Sequence, residues 1–217
     1  AYTNLTGTSI QDASAIGTNF GRAKLDATIF TSSNLKEANF SEVSGDSPVF
    51  SLANIEAAIF NKSKFITPDF VGAKLQGVTF FESVFERALF NGTLLEDLTY
   101  FRCELKESNF SNARGSGLIF VGGSLLASNF QLSSITNLCL VEQPCFDRCN
   151  FQLSVMEGNN FRGASLKRAD FGGANLTATD FSETDLKNSN FKRAFARQAG
   201  FHRAKLYHAD LTGADFM

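Results

Sequence analysis

The sequence predicts one continuous coiled stack of short repeats, and three observations predict it. Between Leu166 and Phe191 every fifth residue is Leu or Phe, and the residue two places earlier is small: Ala164, Ala169, Ala174, Thr179, Thr184 and Ser189. A period of five is neither the 3.6 of a helix nor the 2 of a strand, so it marks an internal repeat. The same frame fills the chain. Of the 28 multiples of five from Leu5 to Leu140, 25 are Leu, Ile, Phe or Tyr; one residue is then added between Val141 and Cys145, and the frame resumes from Phe146 to Phe216. Finally, residue types recur every twenty positions. Phe20, Phe40, Phe60, Phe80, Tyr100 and Phe120 form one series, and Phe30, Phe50, Phe70, Phe90, Phe110 and Phe130 another.

Each position of the repeat has a physical reading. The large central residue and the small one two before it point inward, and the other three positions, which carry nearly all the charge, face water. Eleven of the 17 glycines stand two places after a centre, where a corner needs positive φ or close backbone approach. Such a unit cannot bury itself alone, so it stacks into a coil. Of the centres, 21 are Phe, each contributing about 1.5 to 3 kcal/mol by burial. Gly45 and Gly115 remove a central side chain and are expected to mark local irregularities. The added residue is expected to form a bulge at a corner, with Pro144 in it, so that residues 1–217 stay a single domain.

The motifs ADFGG, ANLTA, ADLTG and GADF are similar to the A(D/N)LXX consensus of the pentapeptide-repeat family, and the resemblance covers essentially the whole chain. It implies an all-β fold, a right-handed quadrilateral parallel β-helix with four repeats per coil, and hence about 10 to 11 coils in 217 residues. HADLTGADFM stops in mid-repeat, so an end-to-end contact or a flanking segment is expected to cover the terminal strand edges.

Composition narrows the function classes. Net charge is −2, which is not that of a nucleic-acid binder, so no direct nucleic-acid contact is expected. No apolar run reaches the roughly 18 residues of a membrane span. His202 and His208 face outward with no third convergent ligand, carboxylates are scattered, and a filled solenoid leaves no cleft; no catalytic residue, metal or cofactor is assigned. Cys103 and Cys149 stand at the small inward position as compact hydrophobes. Cys139 and Cys145 flank the added residue and are the pair that a disulfide would join.

One surface feature departs from the polar rule. Phe81, Phe101, Val121 and Val141 occupy the same outward position on four successive coils, with Ile59, Ile119 and Cys139 beside them. They predict an apolar stripe about 15 Å long that either binds a protein partner or a second copy or is covered by a loop or terminal segment of the intact protein. The favoured function is therefore a non-enzymatic structural or protein-interaction module, within a larger protein or alone. The alternative comes from the resemblance: some members protect type II topoisomerases by imitating DNA with an acidic rod. Here residues 1–155 hold 11 basic and 15 acidic side chains and residues 156–217 hold 9 and 7, so no strongly acidic surface is expected.

Overall fold

The computed structural model describes residues 2–217, and they form an all-β parallel solenoid. Coil follows coil at twenty residues. Asn4, Lys24, Ser44, Lys64, Val84, Glu104, Ser124, Cys145, Ser165, Asp185 and Lys205 pair in sequence as eleven rungs of one parallel ladder, with a single step of 21 at the added residue. At a strand spacing of about 4.8 Å the rungs span about 48 Å.

The core consists of the predicted series. On the face centred on Ile10 and Phe30, ring centroids of Phe30, Phe50, Phe70, Phe90, Phe110 and Phe130 follow one another at 4.7 to 5.1 Å with planes within 8°. The opposite series meets it edge-on, as at Phe40–Phe50, 5.3 Å and 89°. Offset stacking along the rod and edge-to-face contact across it are the two arrangements that a ring quadrupole favours. The small inward residues fill the gaps between rings. Where they are hydroxyls they are satisfied: Ser63 donates to the Phe40 carbonyl at 2.6 Å and Ser128 to that of Leu105 at 2.7 Å.

The corners are more uniform than the glycines suggest. The residue two after the centre has positive φ in all 42 repeats that possess one, and in 31 of them it is not glycine. In part of the rod a local support comes from the residue just before the centre. Where it is Asn or Asp, its side chain accepts the N–H two residues on, as Asn129 does from Gln131 at 3.1 Å and Asp180 from Ser182 at 2.7 Å. This Asx turn holds the corner. The A(D/N)LXX pattern is thus a capping rule, a meaning not read from the sequence.

Every strand begins at an uncapped position, although other uncapped repeats, such as those centred on Leu25, Phe30, Phe50 and Leu75, keep the turn form. Among the described residues, eleven three-residue strands all lie between residues 44 and 141: β1 Ser44–Asp46, β2 Ile59–Asn61, β3 Lys64–Ile66, β4 Thr79–Phe81, β5 Val84–Glu86, β6 Leu94–Glu96, β7 Thr99–Phe101, β8 Arg114–Ser116, β9 Ile119–Val121, β10 Ser134–Thr136 and β11 Cys139–Val141. None starts with Asn or Asp. They make three parallel sheets, ordered β1-β3-β5, β10-β8-β6 and β11-β9-β7-β4-β2. Strand repeats also lack the turn bond from the small residue back to the centre, such as Ala164 N–H to Phe161 C=O at 3.0 Å. All three prolines, Pro48, Pro68 and Pro144, occupy the small position directly after a strand repeat, where no donor is needed.

Two expectations are corrected. Gly45 and Gly115 are not irregular: they sit mid-strand in β1 and β8, in register with Phe65 and with Leu95 and Ile135. The missing side chain lets the backbone close in, and a Cβ on Gly115 would lie 1.9 Å from the Leu95 carbonyl oxygen. Pro144 is not in the bulge but beside it. Glu142 and Gln143 both take positive φ, Gln143 is exposed, and Pro144 is buried two residues before Phe146. In the coil below, Gly122 and Gly123 are left-handed too, and a Cβ on Gly123 would be 2.2 Å from the Cys103 carbonyl oxygen. At the last coil the centres are only partly covered, with Leu211 40% and Phe216 39% exposed.

Candidate interaction surface

The apolar stripe coincides with the five-stranded sheet. Its residues are supplied by β2, β4, β7, β9 and β11, whose sequences IFN, TFF, TYF, IFV and CLV place β-branched or aromatic side chains outward where other coils carry Asn, Asp or Ser. Loss of the Asx cap and gain of apolar surface are one substitution pattern.

The structure brings the predicted residues together. Phe81 and Phe101 pair in register, their rings stacked at 4.7 Å with planes 3° apart; Val121 follows Phe101 and Val141 follows Val121. Ile119 stands on the other outward column, paired with Thr99 and Cys139. Ile59 closes the patch at one end and Val141 at the other, 44% and 45% exposed. The two phenylalanines, Ile119 and Val121 are only half-exposed, because each covers its neighbours. The Arg102 guanidinium lies 5.0 Å over the Phe101 ring.

A rail of ion pairs runs along the adjacent corner. Arg22 meets Glu42 at 3.0 Å, Lys62 meets Glu82 at 3.8 Å, and Arg102 reaches across Gly122 to Glu142 at 3.0 Å. Signs alternate from rung to rung, which suits charges one strand spacing apart. Exposed pairs of this kind contribute about 0 to 1 kcal/mol each, so their main effect is a polar border for the patch.

The remaining sequence candidates are dispersed. His202 is exposed one residue after Phe201, and His208 is exposed at the next corner with φ 58°. All four cysteines are free. Cys139 and Cys145 lie on different faces with the inserted corner between them, Cys139 on the apolar sheet beside Ile119 and Cys145 paired with Ser124. The disulfide weighed from the sequence is therefore not formed in this structure. Cys103 and Cys149 are buried, and burial pushes the Cys103 thiol up to about 12 and raises that of Cys149 as well. No helix is long and apolar enough to cross a membrane among the described residues.

The family model for pentapeptide repeats matches eight copies, over residues 3–42, 145–178 and 179–216, a little more than half the chain. The chain belongs to the pentapeptide-repeat family. The unmatched span, 43–144, is the one that holds all eleven strands and the apolar sheet. Among solved structures this pentapeptide-repeat chain is similar to HetL of the cyanobacterium Nostoc sp. strain PCC 7120, a pentapeptide-repeat protein involved in regulating heterocyst differentiation. The identity is 18%, the TM-score 0.54, and the match covers 93% of this chain and 89% of HetL. A structure of QnrB1, a plasmid-mediated fluoroquinolone resistance protein, matches at 15% identity and a TM-score of 0.41, over 100% of this chain and 92% of that one. At 18% identity the likeness to HetL is one of fold. No curated protein sequence matches the chain.

Proposed function

We propose that this pentapeptide-repeat protein is a non-enzymatic interaction module whose docking face is the five-stranded sheet, and that the occupant is an amphipathic helix of a protein partner. The single observation that carries the reading is that the one five-stranded sheet among the described residues is also the place where polar caps give way to outward Phe, Ile and Val. Its size argues for a helix. Five rungs measure about 20 Å by one face width of about 10 Å. That is far below the roughly 800 Å² per partner of a stable protein interface, but it fits about 13 residues of a helix about 10 Å wide. Stacked Phe81 and Phe101 are the aromatic anchor, and the ion-pair rail is the polar rim. The DNA-mimicking alternative needs a continuous negative face; here the charged corner alternates in sign.

Replacing Phe81 and Phe101 with Ser tests the reading. A photo-crosslinker at Val121 is expected to capture a partner peptide with apolar residues at helical spacing, and capture is lost in the double variant while its melting stays cooperative. A crosslink that maps to a second copy of this chain, or capture unaffected by the two substitutions, overturns it.

A further inference from the structure

We propose that a groove in the C-terminal third of the rod binds a small anion carrying two or more phosphate groups. Arg148 and Arg168 occupy the same corner on successive coils, their backbone N–H groups donating to the backbone carbonyls of Lys167 at 2.8 Å and Lys187 at 2.9 Å. The residues just before that corner are Asp147, Lys167 and Lys187, so four cations and Leu126 line a groove of about 400 Å³, a size that suits a small ligand.

The molecule supplies its own control. On the corner beside the apolar sheet each charge is answered by the opposite sign on the next rung it reaches, as in Arg22–Glu42 and Arg102–Glu142. On this corner arginine stacks on arginine, and lysine on lysine. The excess is only partly neutralised from within. Asp147 is the one lining carboxylate, and its Oδ1 is taken up by the Ser165 hydroxyl at 2.6 Å and the Lys167 N–H at 2.9 Å. Lys167 reaches Asp185 at 3.6 Å. Arg148, Arg168 and Lys187 join no ion pair among the described residues. Like charges held one strand spacing apart repel unless an anion lies between them.

The donor set selects phosphate. Two arginines, each with a guanidinium fork able to bind a phosphate through two parallel hydrogen bonds, rise from backbone positions one strand spacing of about 4.8 Å apart, and the flanking ammonium groups add point charges. A ligand with adjacent phosphates engages both forks at once, whereas a planar carboxylate engages one. The backbone of the lining comes from neighbouring coils of a regular ladder, so only the exposed side chains have to order around the ligand.

Titration calorimetry with inorganic triphosphate at low salt tests it on the whole chain. The expected result is one saturable site with a Kd below about 1 mM. Arg148→Gln with Arg168→Gln is expected to weaken it at least about tenfold. Arg193→Gln, on a different corner, leaves it unchanged, with the strand signal in circular dichroism the same in all variants. Absence of saturation, or an equal loss in Arg193→Gln, overturns the site. Citrate binding as tightly as triphosphate overturns the phosphate assignment, and oligonucleotide affinity that grows with length overturns the small ligand.

Discussion

Gly115 shows how a single missing side chain shapes this rod. Its strand neighbours Leu95 and Ile135 are aligned with it, and the backbone approaches so closely that any Cβ would overlap the Leu95 carbonyl oxygen. Gly115→Ala is therefore expected to destabilise the protein by about 2 to 4 kcal/mol, read as a lower denaturation midpoint; a change under about 0.5 kcal/mol would show that the coil relaxes freely. Tyr100 makes the opposite case. It is fully buried in the stacked series between Phe80 and Phe120, at 4.8 and 4.9 Å, and its hydroxyl has no hydrogen-bond partner. Burial raises its pKa strongly. Tyr100→Phe keeps the stack and removes the unpaired hydroxyl, so it is expected to raise stability by about 1 kcal/mol; a loss of that size would reveal a partner for the hydroxyl. The sequence marks both positions as central. It does not show that Gly115 is closely packed, because that depends on the distance between coils.

At the scale of the element, the repeat exists in two forms. The turn form keeps a bond behind the centre, with or without Asn or Asp before it; the strand form has neither the bond nor the cap, and tolerates proline. Ala164 donates to Phe161 at 3.0 Å in a capped repeat, so Ala164→Pro is expected to cost about 1 to 3 kcal/mol in denaturant titration. Pro68→Ala, after strand β3, is expected to change stability by less than about 1 kcal/mol. Equal effects at the two sites would sink the distinction. The frame of inward residues was legible because burial acts on every repeat alike. The two forms were not, since a lone Ile or Thr before a centre acquires meaning only when the same column repeats one coil later. The apolar stripe is the exception: Phe81, Phe101, Val121 and Val141 are twenty apart, so the period itself revealed their alignment, though not that they share one sheet.

Over the whole molecule, stability is a sum of coil-to-coil contacts, and the last coil has only one neighbour among the described residues. Its carboxylates help hold it. Asp210 is lowered to about 2, chiefly by the hydroxyl and N–H of Thr212 and then by Lys192 at 3.0 Å, and Asp215 is lowered by Arg197 and the Met217 N–H. A carboxylate with a depressed folded pKa stabilises the fold above its ordinary range, and that contribution is lost as pH falls through the folded value. Amide protection in residues 205–217 is accordingly expected to fall between about pH 4 and pH 2 before that of the central sheet; simultaneous loss would contradict it. The sequence by itself determined the register, the solenoid and the identity of the core, since a five-residue period of large and small apolar residues has one efficient way to be buried. Only the tertiary structure decided that some uncapped repeats gather into sheets, that the missing side chains at Gly45 and Gly115 draw coils together, and that Arg148, Arg168, Lys167 and Lys187 line one groove. These depend on which residues one coil places beside the next, a contact between positions about twenty apart that local pattern does not describe.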